Sequence, residues 1–394
     1  MCGATYPNGF IASGVSCGVK KNGEMDLALI VCETKAAAAG IFTKNIVEGH
    51  SLALSKKNIK KGYAKAVVIN SGNANACLGK RGIDDALNMA NLVAEKCDVK
   101  SEEVLTASTG VIGVPLDMKK IEAGIINAYK NLSSDGLSAA KAIMTTDTHP
   151  KTAETKIIID GEEIRIGGMA KGSGMIHPDM ATMISIITTD AKLNPKALND
   201  ALKISADKTF NRISVDGDTS VCDKVLLLAS GLKGKEIKEN TDEFDVFLNG
   251  LINVSKKLAK MLAADGEGAT KLLTIKVINA KHERDARLIS SAIAKSPLCK
   301  TAAFGKDANW GRLLTAAGYS GAKFNPEKVN IFIGNVMVCK DGGGLMFDEE
   351  AALKVLEKDE VEYIIDLQEG SESDVMWSCD LTYDYVRING EYRT

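Results

Sequence analysis

Apolar residues recur along this chain in two periods. Ala64-Lys65-Ala66-Val67-Val68-Ile69 has the character of a buried strand and runs into the turn-forming stretch Asn70-Ser71-Gly72-Asn73-Ala74-Asn75. Ile121, Ile125, Ala128 and Leu132 lie at offsets of four, seven and eleven, which is one stripe of a helix. Ile157-Ile158-Ile159 and Glu162 to Ile166 flank Asp160-Gly161, a dipeptide that tolerates the positive φ of a tight hairpin turn. Asn194-Pro195 predicts a helix start, a capping amide followed by a proline with no N–H to satisfy. Ala197, Leu198, Ala201, Leu202 and Ile204 supply that helix with its apolar face. A longer amphipathic helix is predicted from Phe244 to Leu262. Leu273, Ile275 and Val277 alternate with Thr274 and Lys276 at strand period, and Val329 to Val338 and Val361 to Leu367 read as further strands. Strands and helices interleave throughout, with hairpin-like pairs among them. The expectation is an α/β body of layered, mixed sheets with flanking helices, not a strictly parallel doubly wound sheet.

Composition narrows the function classes. With 394 residues the chain suits two or three domains or one large α/β body. Its 49 Lys+Arg nearly balance 51 Asp+Glu, which argues against a coat for nucleic acid or acidic membrane. No apolar run approaches the ~18–20 residues that span a bilayer. Met1 to Pro7 lacks the basic and apolar regions of a signal peptide, so a cytoplasmic protein is expected. Nine cysteines, at 2, 17, 32, 77, 97, 222, 299, 339 and 379, are odd in number and include no Cys-x-x-Cys. Reduced thiols are expected, with neither a disulfide frame nor a zinc site. His50, His149, His177 and His282 show no ligand spacing, so no metal is expected. Neither a Gly-x-Gly-x-x-Gly after a strand nor a P-loop is present.

Chemistry concentrates in Lys171-Gly172-Ser173-Gly174-Met175-Ile176-His177-Pro178-Asp179-Met180-Ala181-Thr182-Met183, a Gly-rich loop that passes into the apolar strand-like run from Ile184. A Thr hydroxyl at the mouth of a strand can attack the carbonyl of the small residue before it. Hydrolysis of the resulting ester leaves Thr182 as a new N-terminus, whose α-amine then serves as base for its own hydroxyl. An amine with a pKa near 7.7–8.0 suits that work. Spacing alone favours an ordinary turn, since Gly-rich loops before strands are usually no more than that.

The same block resembles the cleavage-site signature of the ArgJ family, the glutamate N-acetyltransferases (ornithine acetyltransferases) of arginine biosynthesis. Gly40-Ile41-Phe42-Thr43-Lys44-Asn45, Asn70 to Ala76, Ser108-Thr109-Gly110-Val111-Ile112-Gly113 and Thr145-Thr146-Asp147-Thr148 resemble it too. Asp216-Gly217-Asp218-Thr219-Ser220, Asp265 to Lys271, Phe304 to Arg312 and the ending Ile388 to Thr394 continue the likeness in order along the whole chain. The resemblance implies a layered fold shared with self-cleaving DmpA-type aminopeptidases, and a cut between Ala181 and Thr182. An α chain 1–181 and a β chain 182–394 would pair as an α2β2 assembly. Thr182 would carry acetyl from N-acetylornithine to glutamate in a ping-pong cycle, releasing ornithine and N-acetylglutamate. Thr109 and Gly110 would form the oxyanion hole; Thr145, Lys171, Thr182, Glu267, Asn389 and Thr394 would bind substrate. No cofactor is implied, though acetyl-CoA is a second donor in part of the family, and no residue here decides that point.

A cation such as Lys171 can neutralise a substrate carboxylate, and Glu267 could face an ammonium such as ornithine's, although glutamate has to fit as well. Three departures stand out. Val221-Cys222-Asp223 replaces the usual Thr-Asn-Asp, Asp179 stands where Asn is common, and Val47-Glu48-Gly49-His50 strays from an apolar, proline-containing stretch. Asp216-Gly217-Asp218 lacks the further carboxylates of an EF-hand and reads as a structural turn. The rival readings are an N-terminal-nucleophile amidase or aminopeptidase, in which water resolves the acyl-enzyme, and a binding module that never matures.

Overall fold

A computed structural model, which describes residues 3–177 and 183–391, divides the chain into two units. In order the elements are β1 (Phe10–Val15), β2 (Leu27–Phe42), α1 (His50–Asn58), β3 (Tyr63–Asn73), α2 (Gly79–Cys97), β4 (Val104–Val111), α3 (Met118–Lys130) and α4 (Gly136–Ala142). Next come β5 (Lys151–Ile159), β6 (Glu162–Lys171), β7 (Ile184–Leu193), α5 (Pro195–Lys208), β8 (Ile213–Ser214), β9 (Lys224–Ile237), α6 (Asp242–Ala264) and β10 (Leu272–Ala280). The chain ends with α7 (Glu283–Lys295), α8 (Pro297–Phe304), α9 (Trp310–Gly318), β11 (Asn330–Ile333), β12 (Val336–Lys340), β13 (Gly343–Gly344), α10 (Glu349–Leu356), β14 (Glu360–Asp366), β15 (Glu372–Cys379) and α11 (Tyr383–Gly390).

The first unit comprises Met1–Gly172, Asp179–Asn211 and Thr219–Leu258. Its sheet runs β4-β3-β2-β9-β7-β6-β5, with β1 beside β2; β3–β4 and β7–β9 are parallel and the other pairs antiparallel. Side chains alternate across it. Ile30, Val67 and Ile69 join one buried cluster, while Leu29, Val31 and Val68 join another that includes Met89 and Val93 of α2 and Ile121 and Ile125 of α3. Both faces are covered, which is why 66–69 reads as an unbroken apolar run instead of an alternating one. Asp160 (φ 52) and Gly161 (φ 80) form the tight turn between β5 and β6 that their types favour. Asn194 caps α5 by accepting from the Ala197 N–H at 2.9 Å.

The second unit comprises Ser173–Pro178, Arg212–Asp218 and Ala259–Thr394. Its sheet order is β13-β12-β11-β14-β10-β15-β8, again mixed. Ile289 and Ile293 of α7 meet Leu273, Ile275 and Val277 of β10 in its core. One expectation is corrected here: 329–338 is not a single strand but the hairpin β11–β12. Gly334 turns the chain at φ 58, where a Cβ would also press on Val355 at 2.8 Å.

β6 and β7 are antiparallel neighbours in register from Ile166↔Thr189 to Lys171↔Ile184. The predicted cut therefore falls in the connection between two strands paired to each other. Ala181 and Thr182 themselves lie outside the described residues, as does Thr394.

Candidate active site

Thr109 and Gly110 sit at the end of β4, where its parallel pairing with β3 slips at Gly72 and Asn73. Gly110 takes φ 129, a region favoured by glycine, and a Cβ there would collide with the Gly72 backbone. Behind this turn lies a buried polar network. Ser51 and Ser108 share a hydrogen bond of 2.7 Å, the Ser108 hydroxyl lies 2.6 Å from Asn70 Oδ1, and Asn70 Nδ2 donates to the Asn73 carbonyl at 2.9 Å. The Thr109 hydroxyl, on a residue 3% exposed, makes no hydrogen bond among the described residues.

Thr145 and Lys171 meet through a residue to which sequence reasoning gave no role, Asp147. Its Oδ2 accepts from the Thr145 N–H at 2.9 Å, and its Oδ1 accepts from Lys151 Nζ and the Gly172 N–H, both at 2.6 Å. Lys171 Nζ lies 3.9 Å from Oδ2. Burial alone would raise the Asp147 carboxyl, but the ammonium groups of Lys171 and Lys151 and the Gly172 N–H hold it well below the usual carboxylate range. Two buried ammonium groups, those of Lys151 and Lys171, thus face the Asp147 carboxylate. The Lys171 side chain is 3% exposed and makes no hydrogen bond among the described residues. Lys20 lies close by, its stem 3.1 Å from where a Cβ on Gly72 would be, and burial lowers its amine below the ordinary lysine value. No sequence signal pointed to it.

The chain following position 182 is fixed at once. The Met183 N–H donates to Asp223 Oδ1 at 3.0 Å, and the Met183 carbonyl accepts from the Lys224 N–H at 3.0 Å. Asp223 Oδ2 is buried without a hydrogen bond among the described residues, and burial pushes the carboxyl well above the usual range. Lys224 is fully buried, its ammonium 2.9 Å from the Thr106 carbonyl, and burial pulls it down to about 7.

In the second unit Glu267 and Asn389 are brought together, Asn389 Nδ2 donating to Glu267 Oε2 at 2.8 Å. The segment Ser173 to Ile176 runs alongside them. Its Ser173 carbonyl accepts from the Glu267 N–H at 2.9 Å, and a Cβ on Gly174 would collide with the Glu267 carboxylate. The Asp216 side chain takes the Met175 N–H at 2.6 Å and the Ile176 N–H at 2.9 Å, so the Asp-Gly-Asp stretch is more than a turn. Among the described residues no group of three or more His, Cys, Asp or Glu gathers as a metal site.

A family model described as the ArgJ family matches residues 11–394. The chain is 50% identical over 394 residues to the arginine biosynthesis bifunctional protein ArgJ of Caldanaerobacter subterraneus subsp. tengcongensis, with 98% of each chain covered. It is 46% identical over 406 residues to the glutamate N-acetyltransferase of Methanocaldococcus jannaschii, covering 100% of this chain and 98% of that one. Among solved structures it is similar to the arginine biosynthesis bifunctional protein argJ of Bacillus halodurans: 42% identity and a TM-score of 0.51, over 52% of this chain and 97% of that chain.

Proposed function

The chain belongs to the ArgJ family, and on that premise we propose that Thr182 is both the residue before which the chain cuts itself and the carrier of the acetyl group. The protein is a glutamate N-acetyltransferase of arginine biosynthesis. In the proposed cycle Thr182 Oγ attacks the acetyl carbonyl carbon of N-acetylornithine while the α-amine takes the hydroxyl proton. Thr109 Oγ and the Gly110 N–H receive the charge that develops on the carbonyl oxygen. The C–N bond then breaks, and the leaving amine of ornithine takes the proton back. Glutamate's amine attacks the acetyl ester in turn, Thr182 Oγ departs with a proton, and N-acetylglutamate is released. Lys171 meets a substrate carboxylate. The two chains, 1–181 and 182–394, stay together as a cytoplasmic α2β2 enzyme.

The observation that carries this reading is the Thr109 hydroxyl, which makes no hydrogen bond among the described residues, beside Gly110 at a strand end backed by a buried polar network. One missing oxyanion donor typically costs ~10²–10³ in kcat, which is reason enough for that hydroxyl to be kept free of other partners. The solved relative, itself 97% covered while covering 52% of this chain, has the length that a divided chain would have.

Thr182→Ala is the test. The expected product is a folded, single-band, inactive chain, whereas the wild-type protein gives two fragments and an acetyl adduct on the second after exposure to N-acetylornithine. An intact polypeptide in competent enzyme, or the adduct on another side chain, would overturn the assignment. N-acetylglutamate formed from acetyl-CoA would establish the second donor, and acetate released at the same rate without glutamate would favour the amidase.

A further inference from the structure

Glu267 and Asn389 do not hold themselves. Asn389 lies one turn after Tyr385 on α11, and its Nδ2 donates both to the Tyr385 carbonyl at 3.0 Å and to Glu267 Oε2 at 2.8 Å. Both neighbours are acceptors, so the amide nitrogen has to face them, and Oδ1 is turned the other way. Glu267 Oε1 has no hydrogen bond among the described residues either. What the pair presents is therefore two acceptor oxygens and no donor. Such a site recognises an N–H-rich cation.

The orientation is set from Asp216. Tyr385 Oη donates to Asp216 Oδ2 at 3.3 Å, and the same oxygen accepts from the Met175 N–H. Asp216 Oδ1 accepts from the Ile176 and Asp218 N–H groups, at 3.2 Å for the latter. Burial, and then the Asp216 charge, push the Tyr385 phenol upward, so it remains a donor. Gly268 has φ 68, and a Cβ there would crowd the Tyr385 N–H at 2.7 Å, which keeps the start of α11 against the loop that carries Glu267.

We propose that Asp216 and Tyr385 are positioning residues that hold Glu267 Oε1 and Asn389 Oδ1 as an acceptor pair for the side-chain ammonium of the acetyl donor. This rests on the reading of Glu267 and Asn389 as substrate-binding residues. The δ-ammonium is the only cation N-acetylornithine carries, and the pair would distinguish it from an isostere that ends in a methyl group, N-acetylnorleucine.

The experiment compares kcat and KM for these two donors in cleaved wild-type enzyme, Glu267→Gln, Tyr385→Phe and Asp216→Asn. Tyr385→Phe removes one hydroxyl and leaves its ring, and its KM for N-acetylornithine is expected to rise about fivefold with kcat within about twofold. Its preference over N-acetylnorleucine should shrink by the same factor. Asp216→Asn should move in the same direction, and Glu267→Gln should lose most of the preference. A Tyr385→Phe enzyme with lowered thermal stability but unchanged KM and preference would show a merely structural role and overturn the proposal. Unchanged preference in Glu267→Gln would instead overturn the substrate-binding reading beneath it. Tyr385→Phe leaves the backbone anchors of the loop intact, so its result decides the matter whether or not Asp216→Asn matures.

Discussion

At the scale of single residues, Lys224 shows how a buried charge reports on pH. Below about 7 its ammonium is charged in the folded chain, and the whole penalty of burial is present. As pH climbs towards the ordinary lysine value of about 10.4, the unfolded chain still holds a proton that the folded chain has released. Folding stability should therefore rise with pH in that window, by up to about 1.4 kcal/mol per unit. Lys224→Met should flatten that slope without loss of fold at neutral pH, because the Thr106 carbonyl keeps its hydrogen bond from Ser55 Oγ at 2.6 Å. Denaturant titrations at several pH values would measure it, and an equal slope in the variant would show that another group titrates. Asp223, its neighbour, has one oxygen on the Met183 N–H and the other idle. That carboxyl thus holds the residue next to the one where maturation would create an amine.

At the scale of elements, Asp147 fastens the end of β6 to the segment after α4. Replacing it by Asn would remove the carboxylate that the buried Lys151 and Lys171 ammonium groups both face, a loss of about 3–5 kcal/mol. The wild-type contribution is fully present above the unfolded Asp value of about 3.9 and fades as pH falls through the depressed folded value. Asp147→Asn should accordingly melt earlier at neutral pH and lack that acid-induced decline, as calorimetry at pH 7 and at pH 3 would reveal. Elements were the part of the fold most legible in sequence. Asn194-Pro195 and Asp160-Gly161 announce themselves because cap and turn chemistry is local, and the 121–128 stripe because helical burial is periodic. The turn at Gly334 was hidden since apolar residues continue on both sides of it. Of the proposed site residues, Thr109, Thr145, Lys171, Glu267 and Asn389 were named through resemblance alone. The parts played by Asp147, Asp216 and Tyr385 escaped because the partners that reveal them, Gly172 for Asp147, Met175 for Asp216 and Asp216 for Tyr385, lie 25, 41 and 169 positions away in the chain.

At the scale of the whole molecule, the first unit's sheet interleaves both sides of the proposed cut. β6 pairs with β7, and β2 with β9, across six and six matched positions. Hydrogen bonds and two covered faces thus bind residues before 182 to residues after it. The two fragments are expected to co-elute on gel filtration in buffer and to separate only across the same urea range in which circular dichroism reports unfolding. Separation well before that transition would mean that the shared sheet contributes little to holding them. No described helix is long and apolar enough to cross a membrane.

The β6–β7 arrangement also imposes an order of events. While a peptide joins the two strands, they find each other by closing a short loop, at a rate indifferent to dilution. Made as separate polypeptides they would have to collide, and each would wait with the edge of an unfinished sheet bare to solvent, a template for wrong partners. If the proposed scission follows assembly, it spares the cell that bimolecular search, and a single reading frame then suits this protein better than two genes would.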